Sequence, residues 1–119
     1  MGARNKKDME TIFSKILRKE IPAEVIYEDE MCLAFEDKAP QAPVHALVIP
    51  KVFLENLGDA ETYQEQLLGH LLIVANKVAS LKKLKDFRIV INNGKKAGQT
   101  VFHLHLHVIG GRKLTWPPG

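Results

Sequence analysis

Apolar and polar positions change rhythm along this chain, and each change predicts an element. Ile12, Phe13, Ile16 and Leu17 recur at helical spacing between Thr11 and Lys19, and Pro22 closes the pattern, so a short helix is expected there. Glu24 to Glu28 and Met31 to Phe35 are β-like runs around Asp29-Glu30, the signature of a hairpin. Pro40-Gln41-Ala42-Pro43 cannot enter a central ladder, because its two prolines lack the N–H donor, and it reads as a loop. Val44 to Ile49 is then a buried strand stopped by Pro50. From Asp59 to Leu84 runs the longest helical pattern. Leu67, Leu71, Val74, Val78 and Leu81 form its stripe, Leu68, Ala75 and Ala79 widen it, and Asp59 is the expected cap. Lys82, Lys83 and Lys85 suit the negative end of that helix dipole. Asp86 to Ile91 is the next strand. In His103-Leu104-His105-Leu106-His107-Val108, imidazole and aliphatic side chains alternate strictly, which predicts a last strand with histidines on one face and core on the other.

The order is helix, three strands, long helix, two strands. An α+β fold follows, with antiparallel pairing and the long helix covering one face of the sheet.

Alternate residues on a strand stand about 6.6–6.8 Å apart, so one substrate can touch neighbouring histidines. Three solvated histidines would be a poor use of such regular spacing. A shared metal ion is a chemical rival, because histidine is the commonest metal ligand. Against it, Val108 to Gly119 contains no Asp or Glu, and the only cysteine, Cys32, lies far away within an apolar run where it reads as packing. Covalent catalysis at phosphorus is the third reading: a neutral imidazole is the nucleophile and a protonated neighbour the acid. The preceding Asn92 to Thr100 favours phosphorus. It is a glycine-punctuated polar loop that can turn N–H groups toward an anion, with Gln99 and Thr100 as side-chain donors.

Composition narrows the class. With 119 residues, 45% hydrophobic and 26% charged, the chain suits a single globular core. One cysteine excludes an internal disulfide framework. No apolar run approaches the roughly 18 residues of a membrane span and no signal-peptide core is evident, so a cytoplasmic protein without a membrane role is expected. The net charge of +3 is modest, and Arg4, Lys6 and Lys7 belong to a polar stretch, residues 1–9, expected to be a flexible tail before a domain spanning 10–119. Neither a dense basic stripe nor interleaved aromatics points to nucleic acid.

Gly98 to His107 resembles the motif that names the histidine triad (HIT) family. Phe35 to Lys51 resembles the family's upstream block, and Gly110-Gly111-Arg112 through Trp116-Pro117-Pro118-Gly119 resembles the ending of its histidine triad nucleotide-binding branch. The likeness runs from about Thr11 to Gly119. It implies a five-stranded antiparallel sheet with one long and one short helix. It also implies a purine nucleoside phosphoramidate hydrolase, similar to adenosine 5'-monophosphoramidases, that releases AMP or GMP and an amine without a cofactor or metal. A nucleotide-binding regulator with little turnover stays open, and so does a nuclear as well as a cytoplasmic location.

Residue by residue, the resemblance makes His105 the nucleophile and gives His107 the phosphoryl oxygens and the leaving group. It has His103 and His45 orient and polarise His105, and His45 support the triad by hydrogen bonding. Asn92, Gly98, Gln99, Thr100 and Val101 would join His105 and His107 in holding the phosphate, and Asp37 would bind the ribose hydroxyls. Phe13, Ile16, Ile21 and Phe35 would line the base pocket. The resemblance further implies a homodimer that places Trp116 on the leaving-group side of the partner's pocket. Thr100 and Phe53 depart from the serine and histidine common in relatives, which bears on leaving-group preference. His70 has no motif support and is expected to be structural or exposed.

Overall fold

The computed structural model describes residues 10–119, so the expected tail at 1–9 lies outside the described residues. Its elements are α1 (Ile12–Leu17), β1 (Val25–Glu28), β2 (Cys32–Glu36), β3 (Val44–Pro50), α2 (Glu65–Leu81), β4 (Phe87–Val90) and β5 (Leu106–Gly110). The five strands form one antiparallel sheet in the order β1-β2-β3-β5-β4.

Strand alternation divides the core in two. Cys32, Ala34, Ala46, Val48, Leu106 and Val108 face α2, where they meet Leu67, Leu71, Val74, Ala75 and Val78. The intervening Leu33, Phe35, Leu47 and Ile49 face the other way and pack on Phe13 and Ile16 of α1. Hydrophobic burial on both faces fixes the register, because a one-residue slip would exchange the two sets. The side of the sheet opposite α2 is therefore free to carry the site. Cys32 is fully buried, and burial first, then the nearby Asp29 carboxylate, pushes its thiol up to about 12. It packs rather than reacts.

Two boundaries differ most from the sequence expectation; smaller shifts leave β3 running through Pro50, which pairs with Cys32 of β2, and end α2 at Leu81 and not Leu84. The long helix begins at Glu65 and not at Asp59. Leu57–Asp59 and Thr62–Gln64 are separate 3-10 turns, broken by the extended backbone of Ala60 and Glu61, and Asp59 is held by the Asn56 side chain. At the far end Lys82 pairs with Glu36 of β2, a specific anchor beyond its effect on the dipole.

The second difference matters more: the last strand starts at Leu106, so His103 and His105 lie outside the ladder. Pairing of β3 with β5 ends at Val48 and Leu106. Beyond it, Pro50 has no N–H to offer and its carbonyl accepts from His103 Nε2 at 3.0 Å. Leu104 instead donates its N–H to the Leu54 carbonyl at 2.7 Å. The alternation survives without the ladder, since Leu104 remains in the α2-side core.

His70 and Asp29 join the two layers. Asp29 accepts from the amides of Met31 and Cys32 at 2.8 and 2.9 Å and from the Tyr27 hydroxyl at 2.8 Å, while His70 Nε2 of α2 lies 2.6 Å from its carboxylate. Burial alone would raise the Asp29 pKa, but these four hydrogen bonds together hold it well below the usual carboxylate range.

Candidate active site

On the face opposite α2, a cavity of about 770 Å³ is lined by the apolar Ile12, Phe13, Ile16, Phe35, Leu47 and Val101 and by the polar Asp37, Thr100, His105 and His107. Its mixed lining suits a ligand with both apolar and polar parts, and its volume lies in the range of small-molecule sites. Of the expected base-pocket residues, Phe13, Ile16 and Phe35 line this cavity; Ile21 packs on the cluster behind it.

The rings of the triad are held differently from one another. His105 Nδ1 donates to the carbonyl of His103 at 2.7 Å, which leaves the Nε2 lone pair as the reactive atom. Burial lowers its pKa, so the ring is neutral at pH 7. Phe13 lies edge-on to it, with ring centres 5.0 Å apart. His107 is also neutral, because burial and then the neighbouring His105 and His45 push it down to about 4. The expected pairing of a neutral nucleophile with a charged acid is thus replaced by two neutral rings 5.0 Å apart. Charge arrives with the ligand: a phosphate in the cavity favours the imidazolium form.

His45 serves His107 and not His105. Its Nε2 lies 2.8 Å from His107 Nδ1 and 3.3 Å from Asp37 Oδ2, and its Nδ1 accepts from the Gln41 amide at 2.9 Å. His103 is nearly fully buried, and its Nδ1 has no hydrogen-bond partner among the described residues. Phe53 packs edge-on against the His103 ring at 5.5 Å, so a hydrocarbon edge meets that imidazole. The ligand atoms of Asp37, His45 and His107 fall within 4.8 Å of one another, a grouping that could share a metal ion, and Asp29, Cys32 and His70 form a similar group. In both groups the nitrogens and oxygens already hydrogen-bond one another.

The loop before the triad works from inside. Gly94 and Gly98 adopt left-handed φ values of 95° and 98°, framing a 3-10 turn at Lys95–Ala97. The Gly98 and Gln99 amides are committed to that turn, bonding the Lys95 and Gly94 carbonyls. Gln99 is buried. Its side chain accepts from Gly94 N at 2.8 Å and donates to the carbonyls of Glu55 and Val101 at 2.8 and 3.1 Å. Gln99 therefore braces the loop and is not a donor to an anion. Asn92 and Gly98 adjoin each other away from the cavity wall, where a Cβ on Gly98 would stand 3.7 Å from Asn92 Nδ2. Thr100 and Val101 remain at the wall, and their amides make no hydrogen bond to another described residue.

Two contacts escaped the sequence reading. Arg112 donates from Nε and Nη2 to the Gln41 carbonyl at 3.1 and 3.0 Å, and Arg88 Nη2 donates to the Thr115 carbonyl at 3.0 Å. Together they hold the C-terminal segment to the sheet and the proline loop. Trp116 beyond them is 81% exposed. Both partners are backbone carbonyls, which carry no residue-type signal.

The family model described as the HIT domain matches residues 18–114. The chain is 60% identical over 111 residues to an uncharacterized HIT-like protein of Synechocystis sp., covering 92% of this chain and 97% of that relative. It is 52% identical over 115 residues to a protein of Zea mays named "14 kDa zinc-binding protein", covering 94% and 90%. Among solved structures it resembles a HIT family hydrolase of Legionella pneumophila, with a TM-score of 0.89 and 45% identity over 92% of this chain and all of that one.

Proposed function

The chain belongs to the HIT family, and from that premise we propose that it hydrolyses purine nucleoside phosphoramidates to AMP or GMP and an amine. The observation that carries this reading is the state of His105: neutral, with Nδ1–H fixed on the His103 carbonyl and Nε2 left for the α-phosphorus. Attack by Nε2 forms a P–N bond to the histidine and breaks the P–N bond to the amine, whose nitrogen takes a proton from water and leaves neutral. Water then cleaves the nucleotidyl-histidine, so one difficult displacement becomes two easier ones.

In this reading Phe13, Ile16 and Phe35 hold the base, with Ile21 behind them, and Asp37, at the cavity wall, accepts from the ribose hydroxyls. His107 and the Thr100 and Val101 amides hold the phosphoryl oxygens as charge shifts, while Asn92, Gly98 and Gln99 keep that loop in shape. His103 positions His105 through its carbonyl. No cofactor enters the scheme. The solved relative named a HIT family hydrolase supports the reaction class.

The assembly is a homodimer in this reading. Exposed Leu72, Ile73 and Leu81 on α2 and the exposed Trp116 support a second copy as their cover, with Trp116 on the leaving-group side of the partner's pocket.

A zinc site at Asp37, His45 and His107 is a second reading, favoured by the grouping of their ligand atoms and by the name of the maize relative. The 2.8 Å between His45 and His107 nitrogens is a hydrogen-bond distance, whereas two nitrogens on one tetrahedral zinc stand about 3.3 Å apart. The deciding experiment assays nucleoside phosphoramidates, dinucleoside polyphosphates and nucleotide sugars side by side. Fastest release of AMP or GMP from phosphoramidates supports the hydrolase; tight nucleotide binding with no release would leave a nucleotide-binding regulator instead.

A further inference from the structure

A backbone N–H can only donate. Because the Gln41 amide points at His45 Nδ1 at 2.9 Å, that nitrogen carries the lone pair and the His45 proton sits on Nε2. His45 Nε2 lies 2.8 Å from His107 Nδ1, nearer than the 3.3 Å to Asp37 Oδ2, so its proton goes to the closer partner and His107 Nδ1 accepts. The opposite arrangement, with His107 donating, would leave His45 with no proton on either nitrogen. His107 is therefore protonated on Nε2, the nitrogen not engaged by His45. One peptide N–H thus determines, through two rings, which nitrogen of His107 donates.

The carbonyl of Gln41, in the peptide that follows the one whose N–H starts this relay, is held by a residue distant in sequence. Both Nε and Nη2 of Arg112 donate to the Gln41 carbonyl, at 3.1 and 3.0 Å, while Nη1 fixes the Arg112 side chain to the Lys113 carbonyl at 3.1 Å. The adjoining Gly111, at a φ of 90°, lies close to the same loop: a Cβ there would stand 3.0 Å from the Pro43 side chain. The gripped carbonyl belongs to the Gln41–Ala42 peptide and the amide at His45 to the Pro40–Gln41 peptide, so the two planar groups meet at the Gln41 Cα. Gripping the carbonyl of Gln41 steadies the loop whose amide is aimed at His45.

We propose that Arg112 is a positioning residue for the triad, holding the Gln41 segment so that His45 receives its amide and His107 is locked with its proton on Nε2, ready to donate to a phosphoryl oxygen. The catalytic use of that proton rests on the hydrolase reading above; the tautomer itself does not. The relay also gives the C-terminal segment, whose end carries Trp116, a direct mechanical link to the triad.

The test uses full-length protein labelled with nitrogen-15 in histidine. Two-bond proton–nitrogen spectra near pH 7.5 report which nitrogen of each ring is protonated, with His107 assigned from a His107→Gln control. Wild type should show His107 protonated on Nε2. Arg112→Ala should give a mixture of His107 tautomers and lower kcat on a nucleoside phosphoramidate roughly tenfold with KM within about twofold, and Arg112→Lys, which keeps one donor for the carbonyl, should recover much of both. A wild-type His107 protonated on Nδ1 overturns the proposal, as does an Arg112→Ala protein with an unchanged tautomer. Should Arg112→Ala fail to fold, the wild-type and Arg112→Lys spectra decide. A correct tautomer in a protein that releases no AMP would defeat the hydrolase reading and leave this one standing.

Discussion

His45 Nε2 and His107 Nδ1 meet at 2.8 Å across the β3–β5 pair, although their strand partners are Ile109 and Leu47 respectively. The contact is diagonal, and it ties His45 to the ring beside His105. His105 is left with its Nδ1 on a backbone carbonyl, free of that network. Under the proposed hydrolysis this arrangement would divide the labour, with His105 left for attack and His107 as a donor.

Replacing His105 with alanine should abolish turnover while mononucleotide affinity stays within about tenfold, roughly 1.4 kcal/mol, because His105 is one of several groups at the phosphate end. Rapid mixing with a labelled phosphoramidate should trap nucleotide on wild type and none on the variant. Equal labelling of both proteins would take the nucleophile's role from His105.

Stability should fall in mild acid. A histidine in the unfolded chain titrates near 6.5, whereas His107 in the fold titrates near 4, held down by burial and by His105 and His45. Between those values the unfolded chain binds more protons, so stability is complete above about pH 6.5 and is lost as pH drops toward 4. His103 and His105 are shifted in the same direction by burial and add to the slope. Thermal midpoints measured from pH 7.5 to 4.5 should decline, and His107→Gln should flatten the curve; identical slopes in both proteins would show that His107 does not titrate this way.

Several of these features were legible in the chain before folding. The histidine alternation set the three imidazoles on one side of the sheet because burial of Leu104, Leu106 and Val108 against α2 forces the intervening residues to the other face. The Asp29-Glu30 hairpin and the helix–strand order were equally plain, since period and turn chemistry are local properties. What was not legible depends on atoms brought together by the tertiary fold. Nothing in the composition of Gln99 distinguishes a brace with three internal hydrogen bonds from a ligand donor, and the partner of His45 is decided by interstrand register. The helix start was misplaced because Asp59 and Thr62, good caps on paper, belong to 3-10 turns whose polar composition matches that of a helix's first turn.

Metal removal should leave activity intact if the imidazoles act directly on phosphorus. Exhaustive dialysis against a chelator, with metal content measured before and after, should leave kcat within about twofold, since a catalytic zinc would take the rate with it. Loss of activity restored by added zinc would promote the cluster of Asp37, His45 and His107 to a metal centre.

Sedimentation at micromolar concentration should give a dimer, because Leu72, Ile73 and Leu81 otherwise leave an apolar face of α2 in water. Deleting residues 115–119 removes Trp116 and the Thr115 carbonyl that Arg88 holds. The truncated protein should change its ranking of amine leaving groups more than its affinity for AMP. A monomer would refute the assembly, and an unchanged ranking would refute the role of the tail.

Pro50 also sets where the pairing of β3 with β5 stops. A β-ladder is a zipper, and this one is stopped by a tooth that lacks its hook: beyond Val48 and Leu106 the pairing of β3 with β5 ends, and the carbonyl left over is taken by the His103 ring. A residue with an N–H at position 50 would let the zipper run toward Leu104 and draw the first two histidines of the triad into flat pleated geometry. The place where the sheet is made to come undone is the place where the chain gains the freedom to aim its imidazoles.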